Sequence, residues 1–586
     1  MGGQHVHASR LRNLGRLLAM VPFLLGCGGA SAAAEPAWKT TWSLDAGFAL
    51  EMDTEGYHFP TAIAFVPSPG PNADDALYFV VELRGRVKVV TRDRSVRTFA
   101  EGFVTTEFHD EPPDGTAEFG AAGICLDPTS GYVFVTFAYQ DRDRLLRNDI
   151  IRFETTPGVF GTTPRSSSSF TDVFRPFKSG VSHEIGPCQV AGGLLYVSVG
   201  DGFDAPQGSQ KLDTLLGKIL RLTLDGKPAP GNPFPDPLDP AAPTNYVWAY
   251  GLRNPFGLKM VRGHLLAADN GLSTDRFLEI RPGENYLWDG TERSMAINVP
   301  AVIAPSVGPV QLDYLPADTT LFPEAYRGKF FAALSCRVSG IMTFPYDLDR
   351  GRMQGTPRYF MQHVGPGRQM VTGLAFGPDG LYFAPILPDR DGRTAVLRVR
   401  HDPSRTEATL LENPDPWVLL YEKGCYGCHK LGDLIRGGSE GPPLDRGPLI
   451  ERLDRQLNNA EYERTLDAMD RVTDEPQASL RAARDEVRQA HGIDRIRAWV
   501  KWRVQEPRFD RLVSAMPNMN VSGPEAGKIT NVLIGREPPK LTLADRLRRV
   551  LPENVGRRML VIGSVGAFAV GLLVGAVLRR APRARG

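Results

Sequence analysis

The sequence predicts a mainly β chain: a six-bladed β-propeller, followed by a small all-α domain and one C-terminal transmembrane helix. Three observations predict it. A strand–turn–strand unit recurs six times in the first 400 residues, at intervals of 55, 62, 70, 64 and 52 residues. Past residue 402 the pattern becomes helical and rich in charge. Near the end, MLVIGSVGAFAVGLLVGAVL (559–578) runs for 20 residues without a charge. A length of 586 residues would ordinarily mean about four domains, but one large all-β domain absorbs much of it. Hydrophobic content of 42% and charged content of 23% suit a folded chain and exclude a mainly disordered or multi-span one. With 68 basic against 67 acidic residues, nothing favours a nucleic-acid partner.

The elements follow in order. Arg10, Arg12 and Arg16 precede LLAMVPFLLG (17–26) and the small residues of ASAAAEPAW (30–38), the layout of a secretory signal over 1–34 with cleavage after Ala34. LLGC (24–27) also resembles a lipobox, with Cys27 as the lipidated residue. The propeller is expected over 40–402. Its repeats start near Leu77, Tyr132, Leu194, His264, Gly328 and Gly380, most of them after a short apolar strand and a turn. TAIAFVPSPG (61–70), GAAGICLDPTSG (120–131) and VTGLAFGPDG (371–380) are such lead-ins. Repetition at this period without a helical pattern reads as blades.

Six cysteines exclude a disulfide-rich scaffold. Cys125, Cys188 and Cys336 lie in apolar strand-like runs and are expected to pack as small buried hydrophobes. Residues 401–416, with three prolines, read as a linker. A helical domain follows over 416–536, in which the charged stretch 448–500 reads as a solvated insertion. LTLADRLRRVL (541–551) opens an amphipathic juxtamembrane helix, 541–556, leading to the span at 559–578. At 1.5 Å per residue that span is about 30 Å long, one hydrocarbon core. With an exported N-terminus, the chain is expected on the extracytoplasmic (periplasmic) face of a bacterial inner membrane, single-pass.

Cys425-Tyr426-Gly427-Cys428-His429 is C-x-x-C-H, the attachment motif of c-type haem. Two thiols add across the haem vinyl groups and the adjacent histidine meets the iron from one face. A zinc or redox C-x-x-C is the competing reading of the bare motif. YEKGCYGCHKL (421–431) and GPPL (441–444) resemble the opening of cytochromes c, and SAMPNM (514–519) resembles their Met-Pro loop. The resemblance implies a cytochrome c domain with His429 and Met516 as axial iron ligands; Met519 and His491 remain alternatives for the second.

Between about 60 and 400 the chain resembles the glucose/sorbosone dehydrogenase family, six-bladed propellers that use pyrroloquinoline quinone (PQQ). The matching stretches are SHEIGPCQVAGGLLYVSVGDG (182–202), GKILRLTLDGKPAPGNPF (217–234), YGLRNPFGL (250–258), ADNGLSTDRFLEI (268–280) and GLAFGPDGLYF (373–383). The resemblance implies that His183 is a general base, that Asp201 orients it and that Arg253 polarises the quinone. It further implies PQQ contacts from Asn254, Arg337, Arg368 and Glu118, and a calcium ion on the backbone carbonyls of Gly271 and Leu272. Three places depart from the family pattern: Glu184-Ile185 after the histidine, Asp275-Arg276 after the calcium loop, and Asn285-Tyr286-Leu287-Trp288-Asp289.

The expected function is a membrane-anchored quinoprotein dehydrogenase that oxidises a sugar or alcohol and passes electrons through its own haem c to a respiratory acceptor. An electron-transfer cytochrome with a non-catalytic propeller, and a calcium-dependent lactonase-like hydrolase, are the alternatives.

Overall fold

The structure is a computed structural model. It describes residues 36–535 apart from 105–118, 204, 273, 297–298, 304–305, 337–338, 356, 367–368, 408–418, 421–422, 432–440, 476 and 520. The signal at 1–34, Cys27, the juxtamembrane helix and the span at 559–578 therefore lie outside the described residues, as do Glu118, Arg337 and Arg368. Among the described residues no helix is long and apolar enough to cross a membrane.

Six antiparallel sheets make the six blades. Blade one is Pro60–Phe65, Ala76–Glu82, Arg86–Thr91 and Val96–Glu101; blade two runs from Ala121–Asp127 to Ser166–Ser169. Blade three is Ile185–Ala191, Leu194–Val199, Lys218–Thr223 and Val247–Tyr250, and blade four is Gly257–Val261, His264–Asp269, Asp275–Ile280 and Ala301–Ile303. Blade five spans Pro309–Leu315 to Arg358–His363, and blade six Val371–Gly377 to Ala395–His401. The sequence repeats start on the second strand of each blade. These strands are the easiest to read because both of their faces are covered by neighbouring blades. Ala76–Glu82 (ALYFVVE) is buried at every position, whereas the outermost strand of blade two, SSSS, is fully exposed.

Two strands escape the repeat. Phe48–Glu55, from the N-terminal side, pairs antiparallel with Ala395–His401 and completes blade six, so the two ends of the propeller close the ring on each other. Trp42–Leu44 adds a fifth strand to blade five against Arg358–His363. Closure through a shared blade converts an open solenoid, with two free edges, into a ring.

The cysteine expectation is corrected at two positions. Cys125, on the inner strand of blade two, and Cys188, on the inner strand of blade three, form a disulfide. They are 63 residues apart in sequence but meet because inner strands of successive blades lie side by side around the axis. Cys336 is a half-buried thiol.

The C-terminal region is helical: Cys425–Cys428, Arg446–Leu457, Ala460–Asp470, Arg481–Gln489, Gly492–Gln505 and Gly523–Thr530. Leu449, Leu453 and Leu457 recur every four residues and face the core. Ser522 and Glu525 form a capping box that starts the last of these helices. The stretch 448–500 is not the solvated insertion its charge suggests. Arg484 is buried, donating to Asp470, to Gln477 and to the Phe509 carbonyl. Buried Asp510 accepts from the Tyr462 hydroxyl (3.2 Å) and the Trp499 indole (2.9 Å). Most charges of 448–500 are exposed, but its apolar side chains, Leu449, Leu453, Leu457, Tyr462 and Leu466 among them, build the core of the region. Val302, on the outer strand of blade four, belongs to the same apolar cluster as Leu419, Tyr426 and Leu431, and Cys425 packs against that cluster.

Candidate active site

Strand register brings the first pair together. Ile185, at the start of the inner strand of blade three, pairs with Val199, at the end of the second strand. The residue two before the one and the residue two after the other are His183 and Asp201, so an antiparallel hairpin sets them side by side although 18 residues separate them. His183 Nδ1 lies 2.7 Å from Asp201 Oδ1, and both residues are buried. His183 has φ +58°, a left-handed backbone that costs a non-glycine residue about 1–2 kcal/mol. Gly200 makes the approach possible, since a Cβ there would stand 2.4 Å from the His183 carbonyl.

Asp201 is held on every side. Its Oδ2 accepts the indole N–H of Trp288 at 2.7 Å, its Oδ1 accepts the Phe203 N–H at 2.9 Å, and its own N–H donates to the Arg253 carbonyl at 2.7 Å. The Phe203 ring meets the His183 ring edge-on at 5.1 Å. The last contact of Asp201 joins the dyad to Arg253, which follows the outer strand of blade three. The Arg253 guanidinium donates to the Asn270 carbonyl at 2.6 Å and stands 5.6 Å from the Trp288 ring centroid. Asp269 anchors this corner, accepting the backbone N–H groups of Arg253 and Asn254 and both Nε and Nη2 of the fully buried Arg276.

The structure thus brings together four of the sequence-derived residues: His183, Asp201, Arg253 and Asn254. The calcium candidates are close by. Gly271 N–H donates to Asp275, Leu272 N–H to Glu292, and the Leu272 carbonyl accepts the Ser306 hydroxyl at 2.9 Å. Asp275 also accepts the Val307 and Gly308 N–H groups, and burial pushes its carboxyl up to about 7 against the pull of those three donors and of Arg253. Asn270 Oδ1 is buried with no hydrogen-bond partner among the described residues. No cluster of three or more His, Cys, Asp or Glu side chains suited to a metal occurs among the described residues.

Two residues of the stretches that depart from the family pattern are parts of the site. Trp288 is the donor that fixes Asp201, and Arg276 is the counter-ion of Asp269. In sequence Arg276 is an alteration of a motif, and Trp288 stands between the altered Leu287 and Asp289. The one available signal is that both are side chains with fixed planar donors.

The helical domain carries the second candidate centre. Cys425 and Cys428 form a one-turn helix and are both half-buried. His429, immediately after it, has its Nδ1 2.7 Å from the Pro442 carbonyl oxygen, and a Cβ on Gly441 would stand 2.3 Å from the imidazole. Burial holds the His429 pKa below its ordinary value, favouring the neutral imidazole that ligates metal. Of the candidates for the opposite ligand, Met519 is buried, Met516 half-buried and His491 exposed.

The propeller thus gathers a buried base–carboxylate pair and an arginine at the ends of its blade-three strands. Residues 58–302 match the glucose/sorbosone dehydrogenase family. An uncharacterized protein of Synechocystis is 33% identical over 223 residues, 34% of this chain and 51% of that protein. Aldose sugar dehydrogenase of Escherichia coli is 37% identical over 68 residues, 12% of this chain and 17% of that enzyme. The chain therefore spans about half the length of the first relative and under a fifth of the second. Among solved structures, a glucose dehydrogenase-type oxidoreductase of Thermus thermophilus is 25% identical with a TM-score of 0.46, covering 60% of this chain and 100% of that one. The soluble aldose sugar dehydrogenase of Escherichia coli in its apo-form is 16% identical with a TM-score of 0.47, covering 60% of this chain and 99% of that one.

Proposed function

We propose that this chain is a membrane-anchored, extracytoplasmic quinoprotein dehydrogenase that oxidises a sugar or alcohol and relays the electrons through its own haem c to a respiratory acceptor. The observation that carries the reading is the buried His183–Asp201 pair, clamped by Trp288 and joined to Arg253. Its donor set fits a polyanionic quinone: an imidazole to take a proton and a guanidinium with no carboxylate ion pair among the described residues. When bound, PQQ supplies a two-electron hydride acceptor and haem c a one-electron carrier.

The chain's own residues divide the work. His183 takes the substrate hydroxyl proton at Nε2, because Nδ1 is committed to Asp201. Asp201, held by Trp288, keeps that tautomer and stabilises the imidazolium once it forms. Arg253 and Asn254 would contact the cofactor, the arginine offsetting the negative charge that develops on reduction; Arg337, Arg368 and Glu118, which the resemblance assigns to it, lie outside the described residues. Gly271 and Leu272 offer backbone carbonyls to calcium, and the orphaned Asn270 Oδ1 beside them is the kind of oxygen a hard cation takes. Cys425 and Cys428 would hold haem by thioether bonds. His429 Nε2 and Met516 would ligate the iron, and the Pro442 carbonyl fixes the His429 ring by accepting at its other nitrogen. The signal at 1–34 and the apolar run at 559–578 support export and anchoring.

The test is reconstitution of the full chain with PQQ and calcium, with dye reduction followed on a panel of aldoses and alcohols. Turnover that needs both additions is expected. A haem-containing protein that neither binds PQQ nor turns over would be an electron-transfer protein on a propeller scaffold, and lactone hydrolysis with calcium alone would make it a hydrolase.

A further inference from the structure

Lys218 opens the third strand of blade three and is fully buried, yet no carboxylate among the described residues hydrogen-bonds to it. An ammonium taken out of water costs several kcal/mol unless its donors are satisfied. Here all three are. Lys218 Nζ donates to the carbonyls of Gly208 (3.0 Å), Ser209 (3.1 Å) and Leu216 (2.5 Å). Burial still pulls its pKa down to about 7, with Asp213 opposing, so the charge is one the fold keeps at a cost.

All three acceptors sit in one segment, 206–217, and two of them belong to the short 3-10 helix Pro206–Gln210. Helix C-termini leave carbonyls without intrahelical donors, and a cation suits them. Gly217, at φ +66°, lets the segment fold back this tightly: a Cβ there would stand 2.1 Å from the Ser209 hydroxyl and 2.6 Å from the Leu252 carbonyl.

The clamped segment reaches the dyad from two directions. Gln210 Nε2 donates to the Trp288 carbonyl (2.8 Å) and the Gln210 amide exchanges two hydrogen bonds with Asn285 (2.8 and 3.1 Å). Trp288 in turn donates to Asp201, and Asp201 holds His183. On the other side, the Ser209 carbonyl accepts the Gly251 N–H and its hydroxyl donates to the Leu252 carbonyl, immediately before Arg253.

We propose that Lys218 is a positioning residue for the His183–Asp201 pair, its ammonium fixing segment 206–217 so that Gln210 holds Trp288 against the Asp201 carboxylate. As a statement about catalysis this rests on the dehydrogenase reading above; as a statement about geometry it does not.

Hydrogen–deuterium exchange of the full chain, wild type against Lys218→Met, tests the geometry without turnover. Faster exchange is expected in both 206–217 and 281–290, with 329–344 in blade five unchanged. Protection of 281–290 at the wild-type level, or loosening of 329–344 to the same extent, overturns the proposal, the latter because it marks a general structural role. If Lys218→Met does not fold, Gln210→Leu cuts the same chain one link later. It should expose 281–290 while 206–217 stays protected, and retained protection of 281–290 overturns the proposal there as well. In enzyme that turns over, Lys218→Met should lower kcat about 10- to 100-fold with KM within about threefold, since small misplacement of a base costs rate rather than binding. An unchanged kcat overturns it. Wild-type protein without sugar or alcohol turnover would defeat the dehydrogenase reading and leave the exchange result to decide the positioning.

Discussion

In the propeller, the candidate site is assembled from residues far apart in sequence. His183 and Asp201 are 18 positions apart, Trp288 lies 87 beyond Asp201, and Arg276 and Asp269 come from the next blade. In the helical domain the attachment part of the candidate centre is local: two thiols and an imidazole fall within five consecutive residues, and the acceptor that orients the imidazole is only 13 further on. A local site survives changes elsewhere and fails when its own residues change. A dispersed site depends on every contact that sets the register of its strands. The two halves of the chain should therefore respond differently to substitution.

The largest effect belongs to the local site. Replacing both Cys425 and Cys428 by alanine should abolish covalent haem completely, read as loss of haem stain on the denatured chain; haem that remained attached would refute the thioether assignment. His183→Ala should come next, lowering substrate-driven haem reduction about 10²–10⁴-fold, the usual contribution of a general base. Chemical reduction of the haem by dithionite should be unaffected, and parallel loss of both would break the proposed independence of the two halves.

A remote change should already disturb the dispersed site. Removing the Cys125–Cys188 disulfide, by substitution of both residues with serine, should cost about 2–4 kcal/mol of propeller stability in a denaturant titration. The haem spectrum should be unchanged, because neither cysteine belongs to the apolar cluster of the helical domain. Trp288→Phe should cost less, about 1–3 kcal/mol, by leaving a buried Asp201 oxygen without its donor. Its effect on kcat should exceed its effect on KM; a pure KM effect would place Trp288 on the substrate rather than on Asp201.

The smallest effect is in pH dependence. Asp275 binds its proton more tightly folded than unfolded, because burial raises its pKa to about 7. Its contribution is therefore greatest in acid and is lost as pH rises from about 4 through about 7, the range in which the folded state holds more protons. Asp275→Asn should flatten that part of the stability–pH curve. A slope of opposite sign in the wild type would show that the three backbone donors on Asp275 outweigh its desolvation.

Much of this molecule was legible in one dimension. The six-fold repeat located the second strand of every blade, because those strands are apolar on both faces and cannot be mistaken for loops. C-x-x-C-H needed no fold at all. His183, Asp201 and Arg253 could be picked out by resemblance. Contacts between distant segments were not legible in the same way. Cys125 and Cys188 read as apolar fillers because each alone sits in a β run, and only the stacking of inner strands around the axis brings their sulfurs together. The charged stretch 448–500 read as solvated because composition cannot tell a paired internal arginine such as Arg484 from an exposed one. The strand Phe48–Glu55 had no repeat to belong to until the ring closed on it.

Sequence alone determined the kind of blade, the number of blades and the C-x-x-C-H spacing, since these depend on periodicity and on neighbours along the chain. The tertiary structure decided that Trp288 fixes Asp201, that Arg276 balances Asp269 and that Lys218 saturates three carbonyls. Those are interactions of buried charge and hydrogen-bond donors, whose energy depends on which partners the fold carries to within about 3 Å. No spacing in the sequence encodes that distance.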